Sequence, residues 1–219
     1  MKVVFYVLEC LDYEYLRYCN TPNIDSLNPH PALSFGATTA AAVPALLTGY
    51  TPTCIVDRKC PHNTIPRKLI RRTPFFLKEH FKNNVYLYIP NGWTWQFLKP
   101  YLTPLMPKLK KWHYKFNTKE MIEDFLERKK PETYFAYFHV METHPPFLDG
   151  TRTDIKPGSP EWWQRRRKAV ELADKYLEPL LEMDDLDLLV VCADHNIAHD
   201  ISTCKGLEVF IAIKSKMDY

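Results

Sequence analysis

Apolar and polar residues follow two different spacings along this chain. Five short apolar runs, rich in β-branched and aromatic residues, predict buried strands at 2–8, 85–89, 133–140, 186–193 and 207–213. Apolar residues three and four apart predict a long helix over 160–183, and shorter helical patterns cover 75–81 and 118–129, with Thr118 as a candidate N-cap. Strands that alternate with helices predict an α/β fold, a three-layer αβα sandwich with a mostly parallel central sheet, in one domain over residues 1–219.

Residues 34–49 form an alanine-rich segment of low charge after the first strand, with Thr38 and Thr39 at its head. The plain interpretation is a buried helix capped by a threonine hydroxyl. The alternative is a threonine nucleophile facing a phosphate or sulfate ester, because the amide-rich start of a helix favours an anion.

Acidic and imidazole side chains follow three of the predicted strands. They are Glu9 with Asp12, Glu142 with His144, and Asp194 with His195. Each acid can also be an ordinary solvated loop residue. Parallel strands place their ligands at the carboxyl edge of the sheet, and carboxylates with imidazoles suit zinc or manganese. A divalent ion beside a threonine hydroxyl would lower its pKa and shield an anionic ester.

Composition places the chain among ordinary globular proteins, with 219 residues, 46% hydrophobic and 25% charged. A net charge of +3 is too small to predict a nucleic-acid partner, although a basic patch lies at 99–115 and a basic surface loop at 51–72. No apolar run reaches the length of a membrane span. The first apolar run resembles a strand more than a signal peptide, so we expect a cytoplasmic protein.

The chain has six cysteines, none of them in a CxxC pair: Cys10, Cys19, Cys54, Cys60, Cys192 and Cys204. This spacing argues against a zinc ribbon. Cys54 and Cys60 flank a short loop and could pair by oxidation, which a cytosolic setting disfavours.

Four stretches occur in an order that resembles the alkaline phosphatase superfamily, and within it the sulfatase-like branch. The strand VVFYVLE ends at Glu9 and is followed by TPNIDSL, and Thr39 lies ten residues before the glycine of Thr48-Gly49. YFAYFHVMETHPPF then matches an aromatic strand with a THPP-like element. The last stretch is the helix RRKAVELADKYLEPLLE with LLVVCADHN behind it. The resemblance covers nearly the whole chain.

The resemblance implies a role for each matching residue. Glu9, Asp194 and His195 would bind the metal, and Thr39 would be the nucleophile that also touches it. His144, His199 and Lys205 match residues that bind the ester in relatives. The implied cofactor is one or two divalent ions, zinc or manganese, and the implied partner is a small phosphorylated or sulfated substrate.

Three departures from the pattern narrow the expected chemistry. The segment after Thr39 lacks the formylglycine motif of true sulfatases, which points to phosphate rather than sulfate esters. Glu9 stands where aspartate is commoner, as in the lipoteichoic acid synthase type, which uses one manganese. Asn196 replaces glycine after Asp-His, and the chain is shorter than usual members.

We therefore expect a metal-dependent hydrolase or transferase of phosphate mono- or diesters. A sulfate ester hydrolase is an alternative within the same fold. From another class, the chain would be a non-catalytic sulfatase-like domain that binds an anion or a protein. A nucleic-acid binder that uses the 99–115 patch ranks last.

Overall fold

The computed structural model describes residues 1–48, 76–82, 84–90, 109–113, 117–148, 154–197 and 204–216. Its helices are α1 (Tyr13–Leu16), α2 (Pro22–Asp25), α3 (Thr39–Thr48), α4 (Phe76–Phe81), α5 (Thr118–Glu127) and α6 (Pro160–Leu181). Its strands are β1 (Lys2–Leu8), β2 (His30–Leu33), β3 (Val85–Tyr88), β4 (Leu109–His113), β5 (Tyr134–Val140), β6 (Leu188–Ala193) and β7 (Glu208–Ser215). Short 3₁₀ helices cover Met141–Thr143 and Cys204–Leu207.

The strands form one sheet in the order β2-β7-β6-β1-β5-β3-β4. The five strands from β6 to β4 run parallel, whereas β7 pairs antiparallel with β6 and β2 antiparallel with β7. The predicted mostly parallel sheet is confirmed, and so are all five predicted strands. β1 lies at its centre, as expected for a continuous apolar run buried on both faces.

Side chains of β1 alternate between two apolar cores, which confirms the three-layer arrangement. Val4, Tyr6 and Leu8 belong to a core shared with α5 and α6. Val3 and Val7 belong to a second core, shared with α3 and α4. Helices therefore cover both faces of the sheet and leave its carboxyl edge for polar side chains.

Sequence patterns missed two strands. β2 is short and largely exposed and contains Pro31, so it lacks the apolar alternation that marks a strand. β4 falls inside the 99–115 basic segment, where no strand was predicted, and Leu109–His113 pair with β3. The rest of that segment and the 51–72 loop lie outside the described residues.

Side-chain caps mark the starts of α5 and α6, and the cap of α5 lies one residue before the predicted Thr118. Asn117, not Thr118, caps α5, and its side chain accepts a hydrogen bond from the Glu120 amide at 3.2 Å. Ser159 caps α6 in the same way through the Trp162 amide. Among the described helices, none is both long and apolar enough to cross a bilayer.

Candidate active site

Strand order brings three of the predicted polar loops together. Because β1 lies between β6 and β5, Glu9, Asp194 and the loop after β5 leave neighbouring parallel strands at the same edge of the sheet. Backbone pairing continues just past the strand ends. The Glu9 amide donates to the Val140 carbonyl at 3.1 Å, and the Asp194 amide donates to the Leu8 carbonyl at 3.2 Å. Both carboxylates are thus fixed by the sheet itself.

Thr39 is the first residue of α3, as the sequence predicted, and its side chain points into this cluster. Its hydroxyl donates to Glu9 Oε1 at 2.5 Å, and its Oγ1 lies 3.2 Å from His195 Nε2. Glu9, Thr39, Asp194 and His195 are all at least 98% buried. The structure therefore places the predicted nucleophile and the three predicted metal ligands in one buried cluster.

The loop that carries Thr39 is tied to the end of β6. The Ser34 hydroxyl lies within hydrogen-bond reach of both the Asp194 and the Gly36 carbonyl oxygens. Gly36 packs so closely against α3 that a Cβ built on it would lie 2.4 Å from Ala41 Cβ. These contacts set the position of the α3 N-terminus relative to Asp194.

The charges in the cluster shift one another's pKa. Burial alone would raise the pKa of Glu9, but the imidazoles of His139 and His195 outweigh it and hold that pKa well below its usual range. Burial and the nearby Glu9 charge raise the pKa of Asp194 to about 7. Burial would lower the pKa of His195, and the Asp194 carboxylate raises it well above its usual value instead. A bound divalent cation would offset the electrostatic repulsion between these two buried carboxylates.

The residues present fit a divalent cation. Glu9, Asp194 and His195 each offer a ligand atom, and these atoms lie within 4.8 Å of one another. Asp194 Oδ2 is buried and accepts no hydrogen bond from the part of the chain that the structure describes. His195 Nδ1 lies 2.8 Å from the Asn196 carbonyl oxygen, which can only accept, so Nδ1 carries the proton and Nε2 offers its lone pair once the ring is neutral. Such a backbone bond is how metal-binding histidines are commonly oriented.

Sequence reasoning missed His139, the most deeply placed polar residue of the site. It lies on β5, is fully buried, and its Nε2 is 2.5 Å from Glu9 Oε2 in an ion pair. Its Nδ1 lies 2.9 Å from the Tyr137 hydroxyl oxygen. Glu9 therefore presents Oε1 to Thr39 and His195 and Oε2 to His139. The available signal was a single imidazole inside a strand predicted to be fully buried.

His144 follows the 3₁₀ helix after β5 and is partly buried. Its Nδ1 lies 2.5 Å from the Pro145 carbonyl oxygen, and burial lowers the pKa of the ring. The neutral ring then carries its proton on Nδ1 and offers a lone pair at Nε2. In this state Nε2 can bind a cation, whereas the anion contact that the resemblance implies needs a second proton on the ring.

Asp12 and Glu142 have other partners in the structure. Asp12 caps α1 through the Tyr15 amide at 2.7 Å and pairs with Arg166 at 2.8 Å. Glu142 accepts from the amide and the hydroxyl of Thr118 at 2.7 and 2.6 Å. In the described part of the chain, Asp12 thus contacts α1 and α6, and Glu142 contacts the start of α5. His199 and the Cys54–Cys60 loop lie outside the described residues, as does the side chain of Lys205.

Cys10 lies directly after Glu9 and faces the same cluster. Its Sγ is 3.8 Å from Glu9 Oε1 and 3.9 Å from each ring nitrogen of His195. With Glu9 and His144 it forms a second group whose ligand atoms lie within 4.8 Å of one another. Burial raises the pKa of the thiol to about 12. The sequence had marked Cys10 only as a cysteine outside any CxxC motif.

Comparison with solved structures identifies the architecture. A protein of the alkaline phosphatase superfamily from Vibrio parahaemolyticus aligns with 98% of this chain and 60% of its own, at 16% identity and a TM-score of 0.65. This chain has the fold of the alkaline phosphatase superfamily. The lipoteichoic acid synthase LtaP from Listeria monocytogenes aligns with 100% of the chain and 66% of its own, at 14% identity and a TM-score of 0.63.

A third structure with a similar fold is the Streptococcus pyogenes phosphoglycerol transferase GacH in complex with sn-glycerol-1-phosphate. It aligns with 98% of the chain and 68% of its own, at 14% identity and a TM-score of 0.63. The chain spans less than two thirds of the length of the Vibrio and Listeria proteins. No protein-family model and no curated protein sequence matches the chain.

Proposed function

We propose that the chain is a divalent-metal-dependent hydrolase or transferase of phosphate esters with Thr39 as the nucleophile. One observation carries the proposal. The Thr39 hydroxyl, at the head of α3, lies 2.5 Å from Glu9 and 3.2 Å from His195, and His195 in turn lies 3.5 Å from Asp194 Oδ2, which accepts no hydrogen bond from any described residue. Burial of a hydroxyl among two carboxylates and an imidazole costs free energy of folding, so stability alone does not account for this arrangement.

Glu9, Asp194 and His195 would hold the ion, with the Thr39 hydroxyl alongside. When bound, a divalent ion lowers the pKa of a neighbouring hydroxyl and neutralises charge on ester oxygens. The first amides of α3 add an environment that favours an anion. The donor set contains oxygen and nitrogen ligands that both zinc and manganese accept.

Thr39 would attack phosphorus, form a bond from Oγ1, and release the leaving alcohol. The product is a phosphothreonine, from which water or an acceptor alcohol takes the phosphoryl group and regenerates the hydroxyl. Glu9 orients Oγ1 through the 2.5 Å hydrogen bond, so the oxygen lone pairs stay available for the attack. The sn-glycerol-1-phosphate bound to the phosphoglycerol transferase supports a small phosphorylated substrate of this kind.

The test compares Thr39→Ala with Thr38→Ala at matched metal content. Thr38 is the control because it lies one residue earlier and its hydroxyl oxygen has no hydrogen-bond partner among the described residues. Chromogenic phosphate mono- and diesters are offered with manganese and with zinc. We expect Thr39→Ala to lose turnover and Thr38→Ala to keep a sizeable fraction of it.

Mass spectrometry of the peptide covering residues 34–49 should show phosphorylation in the active protein and none in Thr39→Ala. Turnover retained by Thr39→Ala would exclude Thr39 as the nucleophile. Wild-type protein that binds metal yet turns over no ester with any ion would favour the non-catalytic, anion-binding alternative.

A further inference from the structure

The cysteine next to Glu9 adds a sulfur to a cluster otherwise made of oxygen and nitrogen. Cys10 Sγ lies 3.8 Å from Glu9 Oε1 and 3.9 Å from His195 Nε2. Glu9 Oε1 and His195 Nε2 are themselves 3.0 Å apart. Zinc binds sulfur at about 2.3 Å and nitrogen or oxygen at about 2.0–2.2 Å, so two ligands of one ion lie roughly 3–4 Å apart. The three atoms already have the mutual spacing of ligands to one ion.

The backbone of Cys10 is fixed in the conformation that produces this placement. Its φ is 58°, in the left-handed region, which costs a non-glycine residue about 1–2 kcal/mol. The Cys10 amide donates to Asp194 Oδ1 at 3.2 Å, and the Cys10 carbonyl accepts from the Arg166 guanidinium at 3.3 Å. Contacts on both sides therefore hold the residue where its thiol faces the site.

Two further observations point to a cation at the same place. Within the described residues, Asp194 Oδ2 is buried without a hydrogen bond, 3.5 Å from His195 Nε2. His144, which shares a possible ligand group with Glu9 and Cys10, donates its Nδ1 proton to the Pro145 carbonyl, which leaves Nε2 as a possible ligand atom. A thiol close to two histidines and one carboxylate is a donor set that suits a metal ion.

We propose that Cys10 is a thiolate ligand of the metal centre and makes this centre selective for zinc-class ions over manganese. The inference rests on the proposed function, which requires an ion in the cluster. On binding, the thiol loses its proton to solvent and a metal–sulfur bond forms. Thiolate ligands select zinc, whereas carboxylate and water ligands suit manganese. The centre would thus differ from the manganese site that the resemblance to lipoteichoic acid synthases implies.

The first test uses the unmodified protein loaded with one equivalent of zinc. X-ray absorption should show one sulfur neighbour at about 2.3 Å besides the nitrogen and oxygen shell near 2.0–2.2 Å. A shell of nitrogen and oxygen alone would overturn the proposal and leave the proposed function intact. Protein that binds manganese but no zinc would overturn the Cys10 proposal alone, and protein that binds neither ion would overturn both.

The second test replaces the sulfur and needs no turnover. Cobalt-loaded wild-type protein should show a near-ultraviolet thiolate-to-metal absorption band, and Cys10→Ser should lose it. Cys10→Ser should also weaken zinc binding by more than the roughly 10–100-fold that loss of an outer-shell partner costs, and manganese binding by much less. Zinc binds most sites more tightly than manganese even without a sulfur ligand. The diagnostic quantity is therefore the decrease in the zinc-to-manganese affinity ratio from wild type to Cys10→Ser.

Matched controls assign the band to Cys10. Cys192→Ser removes another buried thiol, and the double variant C54S/C60S removes the pair at 54 and 60. Both should keep the band and the affinity ratio. Circular dichroism of each variant confirms folding, and if Cys10→Ser does not fold, the X-ray absorption result on the wild type decides. A band that survives in Cys10→Ser would contradict the assignment.

Discussion

Glu9 Oε2 and His139 Nε2 lie 2.5 Å apart in the interior beneath the candidate active site. The other oxygen of Glu9 faces Thr39 and His195. His139 thereby fixes the rotation of the carboxylate, and the Tyr137 hydroxyl, 2.9 Å from Nδ1, fixes the imidazole. The two residues form a support behind a candidate ligand, of the kind that tunes metal sites.

Removal of this support should weaken metal binding while the cluster residues stay in place. We expect His139→Ala to raise the dissociation constant for zinc and manganese by about 10–100-fold, as for other outer-shell partners. His139→Gln, which keeps a donor toward Glu9, should recover part of the loss, and Tyr137→Phe should have a smaller effect than His139→Ala. Titration calorimetry measures all three. Equal metal affinities of His139→Ala and wild type would show that metal binding does not depend on the orientation of Glu9 by His139.

Substitution of Glu9 should affect metal binding, whereas substitution of Asp12 should affect folding stability. Glu9→Ala should abolish metal uptake, because Glu9 is central to the cluster. Asp12→Ala should keep uptake but lower the free energy of unfolding by about 2–4 kcal/mol, since it removes the α1 cap and leaves Arg166 without its carboxylate. Metal content and denaturant melts measure both quantities. Loss of metal in Asp12→Ala with uptake intact in Glu9→Ala would reverse the assignment.

Gly36 should tolerate no side chain because of its contact with α3. A Cβ there would lie 2.4 Å from Ala41 Cβ, so Gly36→Ala should displace the start of α3 and cost about 1–3 kcal/mol. Turnover should fall more than metal binding, because Thr39 moves with the helix. Gly158→Ala is the comparison: its φ is +79° but no atom of the described residues lies within 4 Å of a Cβ built there, so only a backbone cost of about 1–2 kcal/mol and no change in turnover are expected.

Stability of the metal-free protein should fall as pH rises from about 5, through Asp194 up to about pH 7 and through His139 and His195 above pH 6.5. Asp194 has a folded pKa of about 7 against 3.8 ordinarily, so above pH 4 the unfolded chain holds fewer protons than the folded one and the free energy of unfolding decreases. The raised pKa values of His139 and His195 act in the same direction, because their contribution is present below pH 6.5 and is lost as pH rises through the folded pKa values. The lowered pKa of Glu9 matters only in acid.

Thermal melts in chelator between pH 5 and 9 test this dependence. The melting temperature should decrease across the range, and added zinc should raise it most at the alkaline end, where the ligands have lost their protons. Asp194→Asn should flatten the profile of the metal-free protein below about pH 7, where the proton on Asp194 contributes. A profile that rises with pH would contradict the charge arrangement described for the cluster.

Local sequence patterns determined the elements of the fold and part of the site. The apolar run of β1, the heptad-like face of α6 and the small residues at the start of α3 each specify a local structure, because side-chain period and backbone propensity act over a few residues. Glu9, Asp194 and Thr39 could therefore be placed at strand ends and a helix start. The roles of His144, His199 and Lys205, the metal and the cytoplasmic location stay predictions.

Only the tertiary structure decided which polar side chains meet. Glu9 and Asp12 both follow β1 in the sequence, and only the fold shows that Asp12 pairs with Arg166, 154 residues further on. His139 looked like one more strand residue until β5 came to lie beside β1, and Cys10 faces the cluster only because its backbone is left-handed. The physical reason is that the chemistry of a carboxylate, imidazole or thiol depends on the few groups within about 4 Å of it. Strand order and backbone conformation bring those groups together from distant parts of the chain.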